Sequence, residues 1–113
     1  LFQPMDELPS VWPESLEGLK QAARLRDAHG FRLGLVIFPE LYELNERHPF
    51  LKFYEHLETV CDGLKIPTLN LFEAFNGRDP QPLWVHPADH HPNDEGHRIA
   101  AEAIEPFVRE LMK

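Results

Sequence analysis

Residues 31–38, Phe-Arg-Leu-Gly-Leu-Val-Ile-Phe, restrict the possible folds more than any other stretch. The run is almost continuously apolar, with Gly30 before it and Pro39 after it. Such a run reads as a strand covered on both faces, which belongs in a parallel sheet with helices on either side. The flanking sequence supplies those helices. From Pro13 a helical pattern sets in: proline suits a first turn, Glu14 and Glu17 suit the positive end of the helix dipole, and Leu16, Leu19, Ala22, Ala23 and Leu25 form an apolar side that stops at Gly30. Beyond a polar connection at residues 40–49, Phe50, Phe53, Tyr54, Leu57, Val60, Cys61 and Leu64 recur at helical spacing along one stripe. A second strand is expected over residues 66–72, with Ile66, Leu69 and Leu71 as its apolar members.

Residues 73–85 read as irregular, broken by Asn76, Gly77, Pro80 and Pro82 and anchored by Leu83, Trp84 and Val85. A last helix is expected from Asp94 to the end. Asn93 caps it, Ile99, Ala100, Ala103, Phe107 and Leu111 are its buried side, and Pro106 should kink it. The order α-β-α-β-loop-α is that of a doubly wound α/β fold with only two strands. Two strands do not make a stable sheet of this type, and the chain opens at Leu1 without an initiator Met. Both features point to further sequence upstream. Residues 1–12, where Pro4 and Pro9 stand among Phe2, Met5, Leu8, Val11 and Trp12, read as an extended lead-in that lies on the domain's own surface or walls a pocket. Residues 13–113 read as the C-terminal part of one α/β domain.

Nineteen carboxylates against eleven Lys and Arg give a formal charge of −8. A phosphate-binding surface needs a basic patch, so nucleic acid is not an expected partner. Cys61 is the only cysteine, which excludes an intrachain disulfide and a cysteine metal cluster and leaves the thiol to fill core space. No apolar run approaches the roughly 20 residues of a membrane span.

The chemistry is concentrated in residues 86–97, His-Pro-Ala-Asp-His-His-Pro-Asn-Asp-Glu-Gly-His. Four of the seven histidines and three carboxylates fall within these twelve residues, and these groups suit proton transfer near neutral pH. Lying between the second strand and the final helix, the stretch should sit at the carboxyl edge of the sheet, where open α/β folds collect functional groups. Three readings compete. In one, His91 is the general base of a nucleophilic hydrolase and Asp89 accepts a hydrogen bond from its other ring nitrogen. In another, three or four of His86, Asp89, His90, His91 and His97 ligate a zinc-type ion, although the adjacent His90 and His91 are poorly placed to point at one ion. In the third the imidazoles cap the loop and the helix start without chemistry. Trp84 reads as an anchor of the loop, His97 as packing at the start of the helix, and His90 as a substrate-side or solvent-exposed group.

Asp89-His90-His91-Pro92-Asn93-Asp94-Glu95-Gly96-His97 resembles the last conserved block of the SGNH (GDSL-type) esterases and lipases, in which an Asp and the base His precede Pro-Asn and a Gly-His that opens the final helix. The resemblance runs on through residues 98–104 and, more loosely, takes in residues 35–40 and 66–72. It implies a flavodoxin-like three-layer α/β/α sandwich (the SGNH hydrolase fold), of which only the C-terminal half is present. It also implies hydrolysis of acyl esters by a serine nucleophile, without a metal or other cofactor. On the matching positions His91 is the base and Asp89 its orienting acid. The substrate would be a small-molecule acyl ester, sugar and lipid esters included, and the partner would be the N-terminal part of the same domain, missing or supplied separately.

The sequence departs from that family in two places. The usual spacing puts the Asp three residues before the His, where Ala88 stands, whereas Asp89 is two before. The Gly-Asp-Ser nucleophile motif and the Gly and Gly-x-Asn-Asp oxyanion donors have no counterpart, and the only serines are Ser10 in the lead-in and Ser15 in the first helical turn. Donors aimed at a developing oxyanion contribute about 3–4 kcal/mol each, so the chain alone is expected to be inactive. The alternative is a protein of this fold that has lost catalysis and binds a carbohydrate or another protein.

Overall fold

Proline and glycine bound the first helix. α1 (Trp12–His29) has Pro13 in its first turn, and Gly30 takes a left-handed conformation (φ 73°) that brings its N–H to the Arg26 carbonyl at 2.7 Å. The structure, a computed structural model, describes residues 9–113; most of the expected lead-in, residues 1–8, lies outside them. After α1 come β1 (Leu35–Ile37), α2 (Leu51–Gly63), β2 (Thr68–Asn70), the single-turn α3 (Phe72–Phe75), a 3-10 turn (Gln81–Leu83), β3 (Trp84–His86), β4 (Asp89–Pro92) and α4 (Asp94–Leu111). The architecture is α/β in the general sense, helices joined to two small sheets, β1–β2 and β3–β4. Among the described residues no helix is long and apolar enough to cross a membrane.

β1 and β2 pair in parallel, Leu35 opposite Thr68, Val36 opposite Leu69 and Ile37 opposite Asn70. The parallel pairing agrees with the sequence, but both strands are shorter than expected. Only three of residues 31–38 form strand, and Phe31 and Phe38 stay exposed, so the run is not covered along its whole length. β2 sets the limit. Pro67 gives its carbonyl to the Leu35 N–H at 2.9 Å but has no N–H to extend the ladder, and at the other end Asn70 Oδ1 accepts the Phe72 N–H and turns the chain into α3. The expected strand at 66–72 therefore shrinks to three residues.

α2 presents its stripe to the core unevenly. Tyr54 and Cys61 are buried, while Phe53, Leu57, Val60 and Leu64 are half-buried. Cys61 packs with Ala23 and Ile66 in a small cluster beside α1, and the larger cluster gathers Ile37, Leu41, Leu71, Phe75, Leu83 and Ile99. α1 is tied to α2 at both ends. The Trp12 ring meets Phe53 and His56 edge-on at 5.8 and 5.1 Å, and the Arg26 guanidinium donates to the Leu64 and Lys65 carbonyls.

α4 begins as the sequence leads one to expect, with Asn93 Oδ1 accepting the Gly96 N–H at 3.0 Å. Pro106 removes a donor, yet the helix runs through it to Leu111 instead of breaking. Ile99 and Ala100 are buried, and Ala103, Phe107 and Leu111 half-buried. A Cβ at position 34 would fall 2.9 Å from Leu111 Cδ2, so Gly34 lets α4 lie close against the chain entering β1. The largest departure from expectation is at residues 84–92. Instead of irregular coil and loop they form an antiparallel ribbon, Trp84 opposite Pro92 and His86 opposite Asp89, with an irregularity between the two pairs.

Candidate functional site

The ribbon brings Asp89 and His91 together although they stand two residues apart. Successive side chains of an extended strand point to opposite faces, so on β4 Asp89 and His91 share one side and His90 takes the other. Asp89 Oδ1 lies 2.5 Å from His91 Nδ1 and also accepts the His91 backbone N–H at 3.1 Å. Ala88, at the three-residue spacing, only gives its N–H to His86 Nδ1, at 3.0 Å.

The pair is polarised. The hydrogen bond to the Asp89 carboxylate raises the His91 imidazolium above its ordinary pKa, and the negative charge of Glu40 adds to this. The same hydrogen bond, followed by the one from the His91 backbone, holds the Asp89 carboxyl below its ordinary range. With Nδ1–H donated to Asp89, the neutral ring carries its free lone pair on Nε2, which has no hydrogen-bond partner among the described residues; the His91 side chain is 85% exposed.

Asp89, His90, His91 and Pro92 form one wall of an open cleft of about 540 Å³. The opposite wall is Phe38, Pro39, Glu40 and Leu41, the residues that follow β1. The site thus lies beyond the carboxyl end of a parallel strand, as the sequence reading anticipates. Trp84 joins the two walls. Its indole N–H donates to the Leu41 carbonyl at 2.7 Å, and its ring stacks on His90 with centroids 3.6 Å apart and planes 9° from parallel. Behind the ribbon, Asn93 Nδ2 donates to the Pro82 and Trp84 carbonyls at 2.8 and 3.1 Å. A Cβ at position 96 would come within 3.0 Å of Pro92 Cβ, so Gly96 allows the first turn of α4 to close on β4. His97 is exposed at that helix start, edge-on to Phe38 at 6.4 Å.

The other candidates are not gathered into one site. Among the described residues no group of three or more His, Cys, Asp or Glu side chains could hold a metal ion. The reason is visible in the ribbon: His90 is turned onto Trp84, His86 accepts from Ala88, and Asp89 is engaged with His91. Ser10 and Ser15 are both exposed and line no part of the cleft; Ser15 borders a separate apolar groove with Trp12, Leu35 and Phe53.

One polar group escaped the sequence reading. His48 is 3% exposed, and its Nδ1–H donates to the Tyr42 carbonyl at 2.9 Å, which leaves Nε2 to accept the Tyr54 hydroxyl proton at 3.0 Å. Tyr54 Oη in turn accepts the Glu40 N–H at 3.3 Å, so this buried chain ends at the cleft wall. Burial pushes the His48 imidazolium below its ordinary pKa and the Tyr54 phenol up to about 12. The one signal in the sequence is Tyr54 itself, because a tyrosine on an apolar stripe needs a partner for its hydroxyl. Comparison with known proteins gives no matching family model, no matching curated protein and no matching solved structure.

Proposed function

We propose that the chain is the C-terminal part of an SGNH (GDSL-type) serine hydrolase acting on acyl esters, its three-layer α/β/α sandwich completed by the N-terminal part of the same domain. His91 is the general base and Asp89 its orienting acid. The observation that carries the reading is the 2.5 Å contact of Asp89 Oδ1 with His91 Nδ1 beside an open cleft, with Nε2 unpartnered among the described residues. An imidazole held in this way keeps one tautomer and one orientation, and the carboxylate stabilises the imidazolium that forms during the reaction.

The nucleophile and the oxyanion donors come from the N-terminal part. The serine Oγ attacks the ester carbonyl carbon while its proton passes to His91 Nε2. The bond to the alcohol oxygen then breaks as Nε2 returns that proton to the leaving group. Water repeats the sequence on the acyl-serine and releases the carboxylic acid. Asp89 remains ionised throughout, in keeping with its lowered pKa.

In the protein that carries both parts of the domain, His91→Ala should abolish hydrolysis of p-nitrophenyl acetate, and Asp89→Asn should reduce it by a smaller factor. Undiminished hydrolysis in His91→Ala rejects the assignment. A second reading, a non-catalytic module of the same fold, is favoured by the position of both serines away from the cleft. It predicts no hydrolysis in any form and saturable binding of a carbohydrate or protein.

A further inference from the structure

We propose that Trp84 and His90 act together as the positioning unit of His91: the indole, pinned to the chain beyond β1, holds the His90 ring and so decides which face of β4 turns Asp89 and His91 to the cleft. The inference rests on the hydrolase reading for what His91 does, but its geometry can be tested without a substrate.

Backbone pairing is too weak to enforce that choice. β3 and β4 make a two-stranded ribbon of three and four residues, and a ribbon of this kind is marginal in water by itself. Its register is already irregular between Trp84 and His86, and the residue opposite Trp84 is Pro92, which has no N–H to donate. A slip of one residue would exchange the two faces of β4. Asp89 and His91 would then change sides with His90, which the native register stacks on Trp84.

Side chains supply what the ladder lacks. The Leu41 carbonyl that accepts the Trp84 indole N–H belongs to a residue only 2% exposed, so the anchor is in the core. The neighbouring Glu40 N–H is held by Tyr54, and Tyr54 by His48. On its outer side the indole lies flat against His90, and His90 Nε2–H donates to the Pro87 carbonyl at 3.2 Å, which fixes the second edge of that ring. Neither Trp84 nor His90 bonds to the His91 imidazole. Both act on it through the strand.

The test is an NMR titration of the imidazoles in the full chain, with exchange of the Trp84 indole N–H followed alongside. The charged and titratable groups around His91 are Asp89, Glu40, His90 and, through Asp89, His86. Wild-type His91 should titrate above the ordinary imidazole value of about 6.5. His90→Ala replaces an exposed side chain, so the fold should survive, and the His91 midpoint should fall toward that value while the indole N–H exchanges faster. The sign is diagnostic. Removing a neighbouring imidazole, with no change of position, would not lower the His91 midpoint.

His90→Phe restores a flat ring and should restore both readouts, whereas Trp84→Phe keeps a ring, loses the anchor and should give an intermediate shift. An unchanged or raised His91 midpoint in His90→Ala, with the amide spectrum of the fold intact, overturns the proposal, as does failure of His90→Phe to rescue. Loss of the hydrolase reading is registered separately, by undiminished ester hydrolysis in His91→Ala.

Discussion

His48 and His91 make the same bond with one ring nitrogen and differ in the other. Each donates Nδ1–H to an oxygen, the Tyr42 carbonyl for His48 and the Asp89 carboxylate for His91. In His48 the second nitrogen accepts from Tyr54 and the ring is buried, so burial disfavours its charge. In His91 the second nitrogen has no partner among the described residues and a carboxylate favours the charge. An oriented imidazole is therefore not by itself a base. What separates the two is whether the far nitrogen is already used and whether the oxygen behind the ring bears a charge.

Substitution should separate them along two axes, activity and stability. The largest effect is expected from His91→Ala, which should cost the proposed hydrolysis about 10²- to 10⁴-fold while leaving the urea midpoint close to that of wild type, as for an exposed side chain. His48→Ala should do the reverse. It opens a cavity and takes from the buried Tyr54 hydroxyl the acceptor of its proton, a loss of about 2–4 kcal/mol by urea denaturation. A loss below about 0.5 kcal/mol, typical of a surface position, would erase the contrast. Tyr54→Phe should cost less, about 1–2 kcal/mol, because it removes one hydroxyl from the chain between Glu40 and His48 without opening a cavity.

The smallest effect is a pair of pH slopes of opposite sign. The folded-state pKa of His48 is lowered, so the unfolded chain takes up that proton first. Its contribution to stability is complete above about pH 6.5 and is lost as pH falls through the folded pKa. The folded-state pKa of His91 is raised, so its contribution is complete below about pH 6.5 and is lost as pH rises through the folded value. Urea midpoints measured from about pH 5 to 8 should show the acid slope flattened in His48→Gln and the opposite slope flattened in Asp89→Asn. Equal slopes in wild type and both variants would mean that the two rings share one environment after all.

Much of the frame was legible because it depends on local signals. Gly30 ends α1, the α2 stripe faces the core, Asn93 caps α4, and β1 pairs in parallel with β2. The strand lengths were not legible, because the apolar run at 31–38 says nothing about how few residues its partner has between Pro67 and α3. The ribbon at 84–92 was hidden for a different reason: its sequence holds three histidines and two prolines and lacks the alternation that marks a strand. Its stabilising contacts run to Leu41, to Asn93 and within the ribbon itself, and no periodicity records them. His48 was hidden likewise, since the partners that make it a core residue arrive only when Tyr42 and Tyr54 are brought to it. The contact of Asp89 with His91 was expected from composition and resemblance, but the strand geometry that allows it at a spacing of two residues was not.

Asn93 has one more consequence, for the alphabet of side chains permitted at that point. Its oxygen is used by the helix, through the Gly96 N–H, and its nitrogen by the ribbon and the 3-10 turn, through the Trp84 and Pro82 carbonyls. Aspartate would satisfy the helix and set a negative oxygen against two carbonyls. Serine would cap the helix but reach neither carbonyl, and glutamine carries both functions one methylene too far out. The position therefore works as a two-ended connector with a single admissible chemistry, and a natural variant carrying any other residue at position 93 should show a compensating change at Pro82, Trp84 or Gly96.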